Sequence, residues 1–284
     1  MTKILHKVIL SSRVDRADAV DVAEKTIKYM LNKGVKELLL DETLKNKITI
    51  KNEKIRYINV KDFSKHKADI MVIIGGDGSL LRALHYFEKT PPPVLGVRVG
   101  RYGFLMEVEP EHVSEALDEI FKGKARVIAR PRIVMYVENK RLPPVLNDYV
   151  ILAPRLKMVH VRVSKKSTRE TILNAYADGL IVSPTAGSTA YSLSAGGPII
   201  DEELKVVVVT PLNPMQLRAR PVVLDIREKL TVEVVDRDSE VYSDGIFCCV
   251  IEEGSKANIE FWDEVLFYRL KRDYYSRLKR RDYV

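Results

Sequence analysis

The sequence predicts two domains: an N-terminal α/β domain with a mainly parallel sheet, and a C-terminal all-β, sandwich-like domain. Three observations predict it. Apolar runs alternate with helical-period segments through the first third of the chain, one strand-like segment follows another after Gly123, and 284 residues suffice for two separate cores.

The elements follow in order. Ile4 to Leu10 reads as a strand. Arg16 to Lys33 reads as a helix, with Val20, Ala23, Ile27, Met30 and Leu31 near helical spacing and Gly34 placed to end it. Val35 to Leu40 and Ile55 to Val60 are further strands, and the uninterrupted apolar run Ile70 to Ile74 is of the kind covered on both faces. Ser79 to Phe87 reads as a helix, Val94 to Val99 as a buried strand and Glu111 to Lys122 as an amphipathic helix. Beyond Gly123 come Ile133 to Val137, Val145 to Leu152, Met158 to Val163, Thr171 to Tyr176, Gly179 to Val182, Val206 to Thr210, Val222 to Leu224, Leu230 to Val235, Val241 to Ile251 and Ala257 to Phe261, all extended. One helical insert, Ser188 to Ala195, interrupts them. The domain boundary is expected between Glu107 and Lys124, giving domains 1–107 and 108–284. The basic, aromatic tail, about 262–284, is expected to pack back on the N-terminal domain through its tyrosines.

Composition narrows the function without choosing it. A net charge of +8 suits anionic ligands such as nucleotides, though 39 acidic residues accompany the 47 basic ones. No apolar run approaches a bilayer span, and the two cysteines are the neighbours Cys248 and Cys249, so a reducing cytoplasm is the expected setting. His6, His66, His85, His112 and His160 lack the paired spacing of a zinc site, so no resident metal is assigned. Interleaved arginines and tyrosines near the C-terminus are a weak nucleic-acid signal, and nucleic acid is not an expected partner.

Two segments carry chemistry. Gly75-Gly76-Asp77-Gly78-Ser79 falls directly between a buried strand and a helix, where glycines let main-chain N–H groups approach a phosphate and the helix N-terminus favours an anion. A carboxylate there repels phosphate unless a cation or a proton-transfer role accompanies it, so Asp77 reads either as a helix cap or as a reacting group. The turn is neither G-x-x-x-x-G-K-[ST] nor G-x-G-x-x-G. The second segment, Asp178 to Pro198, crowds Ser183, Thr185, Ser188, Thr189, Ser192 and Ser194 with Tyr191 and small residues at a strand-to-helix turn, as a ligand site does. Between them, Asn147-Asp148 reads as a turn or as an amide and carboxylate facing an adenine edge and a ribose diol.

Taken together these segments resemble the NAD kinases. The family's pattern appears here as Gly75 to Ser79, Gly100-Arg101-Tyr102-Gly103-Phe104-Leu105, Asn147-Asp148, Asp178 to Pro198, Arg220-Pro221 and Asp244-Gly245, in the family's order. The resemblance implies transfer of a phosphoryl group to the 2′-hydroxyl of the adenosine ribose of NAD, with NAD in a crevice and a homodimer or homotetramer as the assembly. It implies Asp77 as catalytic base and Gly75, Gly76 and Gly78 as the donor phosphate turn. It implies NAD binding by Asp77, Gly78, Asn147, Asp148, Asp178, Thr189, Ala190, Tyr191 and Ser194. Mg²⁺ and ATP or polyphosphate are the implied cofactors. Three departures stand out: Asp148 replaces the family's Glu, Ser183-Pro184-Thr185-Ala186 replaces Ser-Thr-Pro-Thr, and Met215 stands where a His is frequent. The rival readings are a kinase of another hydroxyl acceptor sharing the glycine turn, and a dinucleotide-binding regulator without turnover.

Overall fold

Parallel strands buried on both faces need helices to cover them, and the N-terminal half supplies both in alternation. A computed structural model describes residues 5–100, 103–270 and 274–279. The chain divides into two compact units, 1–129 with 265–284 and 130–264.

In the first unit the strands are β1 (Lys7–Ser12), β2 (Glu37–Asp41), β3 (Ile55–Ile58), β4 (Ile70–Gly75) and β5 (Val94–Arg98). They form a parallel sheet in the order β5-β4-β1-β2-β3. Every residue of β4 is buried. The helices are α1 (Ala17–Asn32), α2 (Asp77–Leu84) and α3 (Val113–Phe121). The apolar stripe of α1, Ala19, Ala23, Ile27 and Met30, joins Val72, Ile74, Leu95 and Val97 in one core, as do Val113, Ala116, Leu117, Ile120 and Phe121 of α3. Because α3 spends its apolar face on this core, the division of the chain falls after Ala129, beyond α3, and not at Glu107.

The second unit holds two sheets. β6 (Arg126–Val137) and β7 (Lys140–Arg141) form a hairpin, followed by β8 (Tyr149–Leu152), β9 (Val159–Lys165), β10 (Thr171–Ala177) and β11 (Gly179–Pro184). After the short helix α4 (Tyr191–Ser194) come β12 (Val206–Leu212), β13 (Val222–Asp225), β14 (Leu230–Val234), β15 (Ser239–Ser243), β16 (Ile246–Ile251) and β17 (Lys256–Arg269). One sheet runs β13-β12-β11-β8-β15-β16, antiparallel throughout, and β10-β9-β14-β17 forms the other. Alternate residues of both, among them Tyr149, Ile151, Leu180 and Val182 on one side and Val161, Val163, Val232 and Ile259 on the other, meet in a shared core. This is a sandwich, as the period-two pattern requires.

Element bounds shift at several places, and two elements differ in kind from their sequence reading. The run Val241 to Ile251 is a hairpin, β15 and β16, turned by Asp244 (φ 46°) and Gly245 (φ 81°). Asp-Gly is a favoured pair for a turn with two positive φ angles, and the apolar residues on both sides hide it in a sequence scan. The insert Ser188 to Ala195 is a 3₁₀ turn, Thr185–Thr189, followed by the four residues of α4. Ile4, Arg101 and Tyr102, named above in the strand and loop readings, and residues 271–273 and 280–284 of the tail lie outside the described residues. The final segment of β17 pairs with β5 through Phe267 and Val94, and the helix α5 (Tyr274–Lys279) sets the Tyr274 ring edge-on to Phe104.

Candidate active site

β4 delivers the glycine turn to the carboxyl end of the parallel sheet, the end at which α/β proteins bind ligands. Gly75 has φ 153°, and a Cβ there would stand 2.6 Å from Ser79 Oγ and 2.9 Å from Arg13 Cγ, so only glycine fits. Gly76 is the N-cap of α2 and Asp77 is its first residue, two positions earlier than the sequence pattern places the helix start. Asp77 therefore does not cap its own helix. Its carboxylate accepts hydrogen bonds from the main-chain N–H groups of Phe104 at 2.6 Å and Leu105 at 2.9 Å. This explains the second glycine segment: Gly103, with φ 157°, brings the chain so close that a Cβ would lie 3.3 Å from Asp77 Oδ1. Gly78 is exposed, with no atom within 4 Å of where its Cβ would be.

The helix behind the turn is anchored by charge. Arg82 of α2 donates to the buried Asp41 at 2.7 Å, and Asp41 also accepts from Ser11 Oγ, Thr43 N and Thr43 Oγ1. A buried carboxylate with four donors is satisfied, and it ties α2 to the ends of β1 and β2.

In the second unit, Asn147-Asp148 forms the approach to β8 and is held from two sides. The Asp244 carboxylate accepts from the N–H groups of Leu146 at 3.1 Å, Asn147 at 2.8 Å and Asp148 at 3.1 Å, while Asp244 N donates to Asp148 O. On the other side the 3₁₀ turn packs so tightly that a Cβ on Gly187 would lie 1.7 Å from Asn147 O. Burial, then the neighbouring Asp244, pushes the Asp148 carboxyl up to about 7. Burial likewise raises Asp244, to about 6, against the pull of its three amides. Asp244 as a residue is partly exposed at its turn, but its carboxyl group is the part enclosed by Leu146 to Asp148. Sequence reasoning gave Asp244 no site role. The signal was the Asp-Gly pair inside an apolar run.

The hydroxyl-rich run divides into internal and outward groups. Thr185 Oγ1 donates to Leu204 O, Ser188 Oγ to Thr185 O, Thr189 Oγ1 to Ala186 O, and Ser192 Oγ bonds Thr210 Oγ1. These hydroxyls lock the turn and α4 onto the sheet. Tyr191 and Ser194 are exposed and Ala190 is partly exposed. Asp178, at the opposite end of β11, accepts from Asn213 Nδ2 at 3.0 Å. The pairing of β8 and β11 runs from Gly179–Leu152 to Val182–Tyr149, so Asp178 and Asp148 lie just beyond its opposite ends.

A carboxylate oriented on a glycine turn at the end of a parallel sheet, joined in one chain to a sandwich bearing a hydroxyl-rich segment, is the arrangement expected of a kinase. The model of the ATP-NAD kinase N-terminal domain matches residues 8–125 and that of the ATP-NAD kinase C-terminal domain residues 146–261. The chain belongs to the NAD kinase family. It is 32% identical over 285 aligned residues to the NAD kinase of Methanothermobacter thermautotrophicus, covering 97% of this chain and 95% of the relative. The crystal structure of yeast NADH kinase complexed with NADH shares the fold with a TM-score of 0.88 at 19% identity, covering 97% of this chain and 86% of that one. An NAD kinase from Archaeoglobus fulgidus in complex with ATP shares it with a TM-score of 0.76 at 20% identity, covering 98% and 99%.

Proposed function

We propose that the protein phosphorylates the 2′-hydroxyl of the adenosine ribose of NAD to give NADP, with Asp77 as the base. The observation that carries this reading is the pair of main-chain hydrogen bonds that turn the Asp77 carboxylate away from a capping role and fix it beside Gly76 and Gly78. Phosphoryl transfer runs largely through a loose transition state, so alignment and charge neutralisation matter more than a strong base. The ribose O2′ forms a bond to the terminal phosphorus of the donor, the bond from that phosphorus to its bridging oxygen breaks, and the O2′ proton passes to Asp77. We assign Gly75, Gly76 and Gly78 to the donor phosphates, and Gly78 has no atom within 4 Å of where its Cβ would be. Asn147, Asp148, Asp178, Thr189, Ala190, Tyr191 and Ser194 are the residues we assign to NAD.

ATP is the donor we favour, since a relative of the same fold binds it, with polyphosphate as the alternative. Among the described residues no three His, Cys, Asp or Glu side chains are grouped to hold a metal ion. Mg²⁺ bound by phosphates and water needs only one or two carboxylates, so we treat it as part of the donor substrate, where it neutralises phosphate charge. A homodimer or homotetramer is supported by the edge strand β16, whose Ile246, Phe247 and Val250 are exposed. A cytoplasmic setting is supported by the unbridged Cys248 and Cys249. Among the described residues no helix is long and apolar enough to cross a membrane.

The test is direct: the purified protein is incubated with NAD, Mg²⁺ and either ATP or polyphosphate, and NADP is measured. NADP formation is expected. Tight NAD binding without NADP from any donor would instead indicate a regulator, and turnover confined to a lipid or sugar hydroxyl would indicate another kinase.

A further inference from the structure

Asp178 is the one carboxylate assigned to NAD that is exposed, so solvent alone does not fix its orientation. Its main chain is fixed: Asp178 N donates to Leu212 O at 2.9 Å and its carbonyl accepts from Ala153 N at 3.0 Å. The side chain is set by Asn213, which follows β12 and donates Nδ2 to Asp178 Oδ2 at 3.0 Å. Asn213 makes this contact from φ 43°, a left-handed conformation uncommon for a residue with a Cβ. The loop beyond it is stitched to the strand that leads into Asp178. Met215 N donates to Tyr176 O at 2.8 Å, and Tyr176 N donates to Gln216 Oε1 at 3.0 Å. Two hydrogen bonds thus hold the loop that carries Asn213 beside β10. Met215 and Leu217, both exposed apolar residues, ride on the same loop.

We propose that Asn213 is a positioning residue: its amide holds the Asp178 carboxylate in the orientation that receives the dinucleotide, and the left-handed backbone is retained for that contact. The inference rests on the assignment of Asp178 to NAD made above. A hydrogen bond from an amide to a carboxylate is charge-assisted, and a carboxylate that must first be ordered by the ligand binds it less tightly. Asn213 does not touch the transferred phosphoryl group. Its loss is therefore expected in NAD affinity and not in the chemical step.

Glycine is the informative replacement, because Asn213→Gly keeps the positive φ without strain and deletes only the amide. The dissociation constant for NAD is measured without donor for the full-length protein, Asn213→Gly, Asp178→Ala and the double variant, with thermal unfolding and kcat at saturating NAD alongside. Expected are a roughly tenfold weaker dissociation constant for Asn213→Gly, a loss at least as large for Asp178→Ala, and no further loss in the double variant. The unfolding midpoint of Asn213→Gly should match or exceed that of the parent, and its kcat should stay within about twofold. Normal affinity of Asp178→Ala would remove the assignment on which the inference rests. A weakened Asp178→Ala beside a normal Asn213→Gly, or fully additive losses in the double variant, would overturn the inference alone.

Discussion

Two Asp-Gly pairs, Asp77-Gly78 and Asp244-Gly245, use one device for different ends. Each carboxylate is held by main-chain N–H groups of a distant segment, two for Asp77 and three for Asp244. The glycines tell them apart. Gly245 has φ 81° and completes a hairpin turn that demands it, whereas Gly78 starts a helix, has no positive φ and faces open space. A glycine that the backbone requires is accounted for by folding. One that folding does not require is left for whatever approaches it, and on our reading that is phosphate. On the assignments proposed above, Asp244 shapes a binding segment by fixing Asn147 and Asp148, while Asp77 is itself the reacting group.

If that contrast is right, Asp77→Asn keeps the fold and NAD binding but lowers kcat by about 10²–10⁴-fold, the range for losing a general base. Steady-state NADP formation and NAD titration check it together, and near-normal turnover would sink the assignment of Asp77. Asp244→Ala should behave in the opposite way. It leaves three enclosed amides without their acceptor, and the expected cost is about 3–5 kcal/mol of stability. Denaturant unfolding should register this directly, whether or not ligand is present. An Asp244→Ala protein of parental stability but no NAD affinity would make Asp244 a ligand contact and erase the contrast.

Asp148 sits between these two cases, and pH separates them. Its carboxyl ionises near 7 in the folded protein against an ordinary 3.8. As pH rises from about 4 to about 7 the unfolded chain releases this proton and the folded chain keeps it, so the group's contribution, full below about 4, is lost by about 7. Asp148→Asn removes the ionisation, and its stability relative to the parent should therefore rise with pH, by on the order of 3 kcal/mol between pH 4 and 8. Unfolding free energies of both proteins at the two pH values decide it. A pH-independent difference would mean that Asp148 is not a buried titrating group.

Much of this was legible in the chain. The apolar run Ile70 to Ile74 is a central strand, the stripe of α1 is a core face, and the order of glycine and hydroxyl segments marks the family. What escaped has physical causes. The start of α2 at Asp77 escaped because what removes Asp77 from capping duty is a contact with Phe104 and Leu105, 27 and 28 residues away. The hairpin at Asp244 escaped because β16 is apolar on an exposed edge, where alternation is absent. The hydroxyls of Thr185, Ser188 and Ser192 are spent on contacts within the protein, a role that composition cannot distinguish from ligand binding.

The smallest effect is the sharpest test of the two glycines. Gly245→Ala forces a Cβ into a left-handed turn and should cost about 1–2 kcal/mol. Gly78→Ala meets no atom within 4 Å and gains helix propensity in the first turn of α2, so stability should be unchanged or higher by up to about 1 kcal/mol. If phosphate approaches Gly78, the same methyl group must raise the KM for the donor while leaving the NAD dissociation constant near its parental value. A Gly78→Ala enzyme with an unaltered donor KM would show that the open space beside Asp77 is plain solvent, and the distinction between a folding glycine and a binding glycine would then fail at this turn.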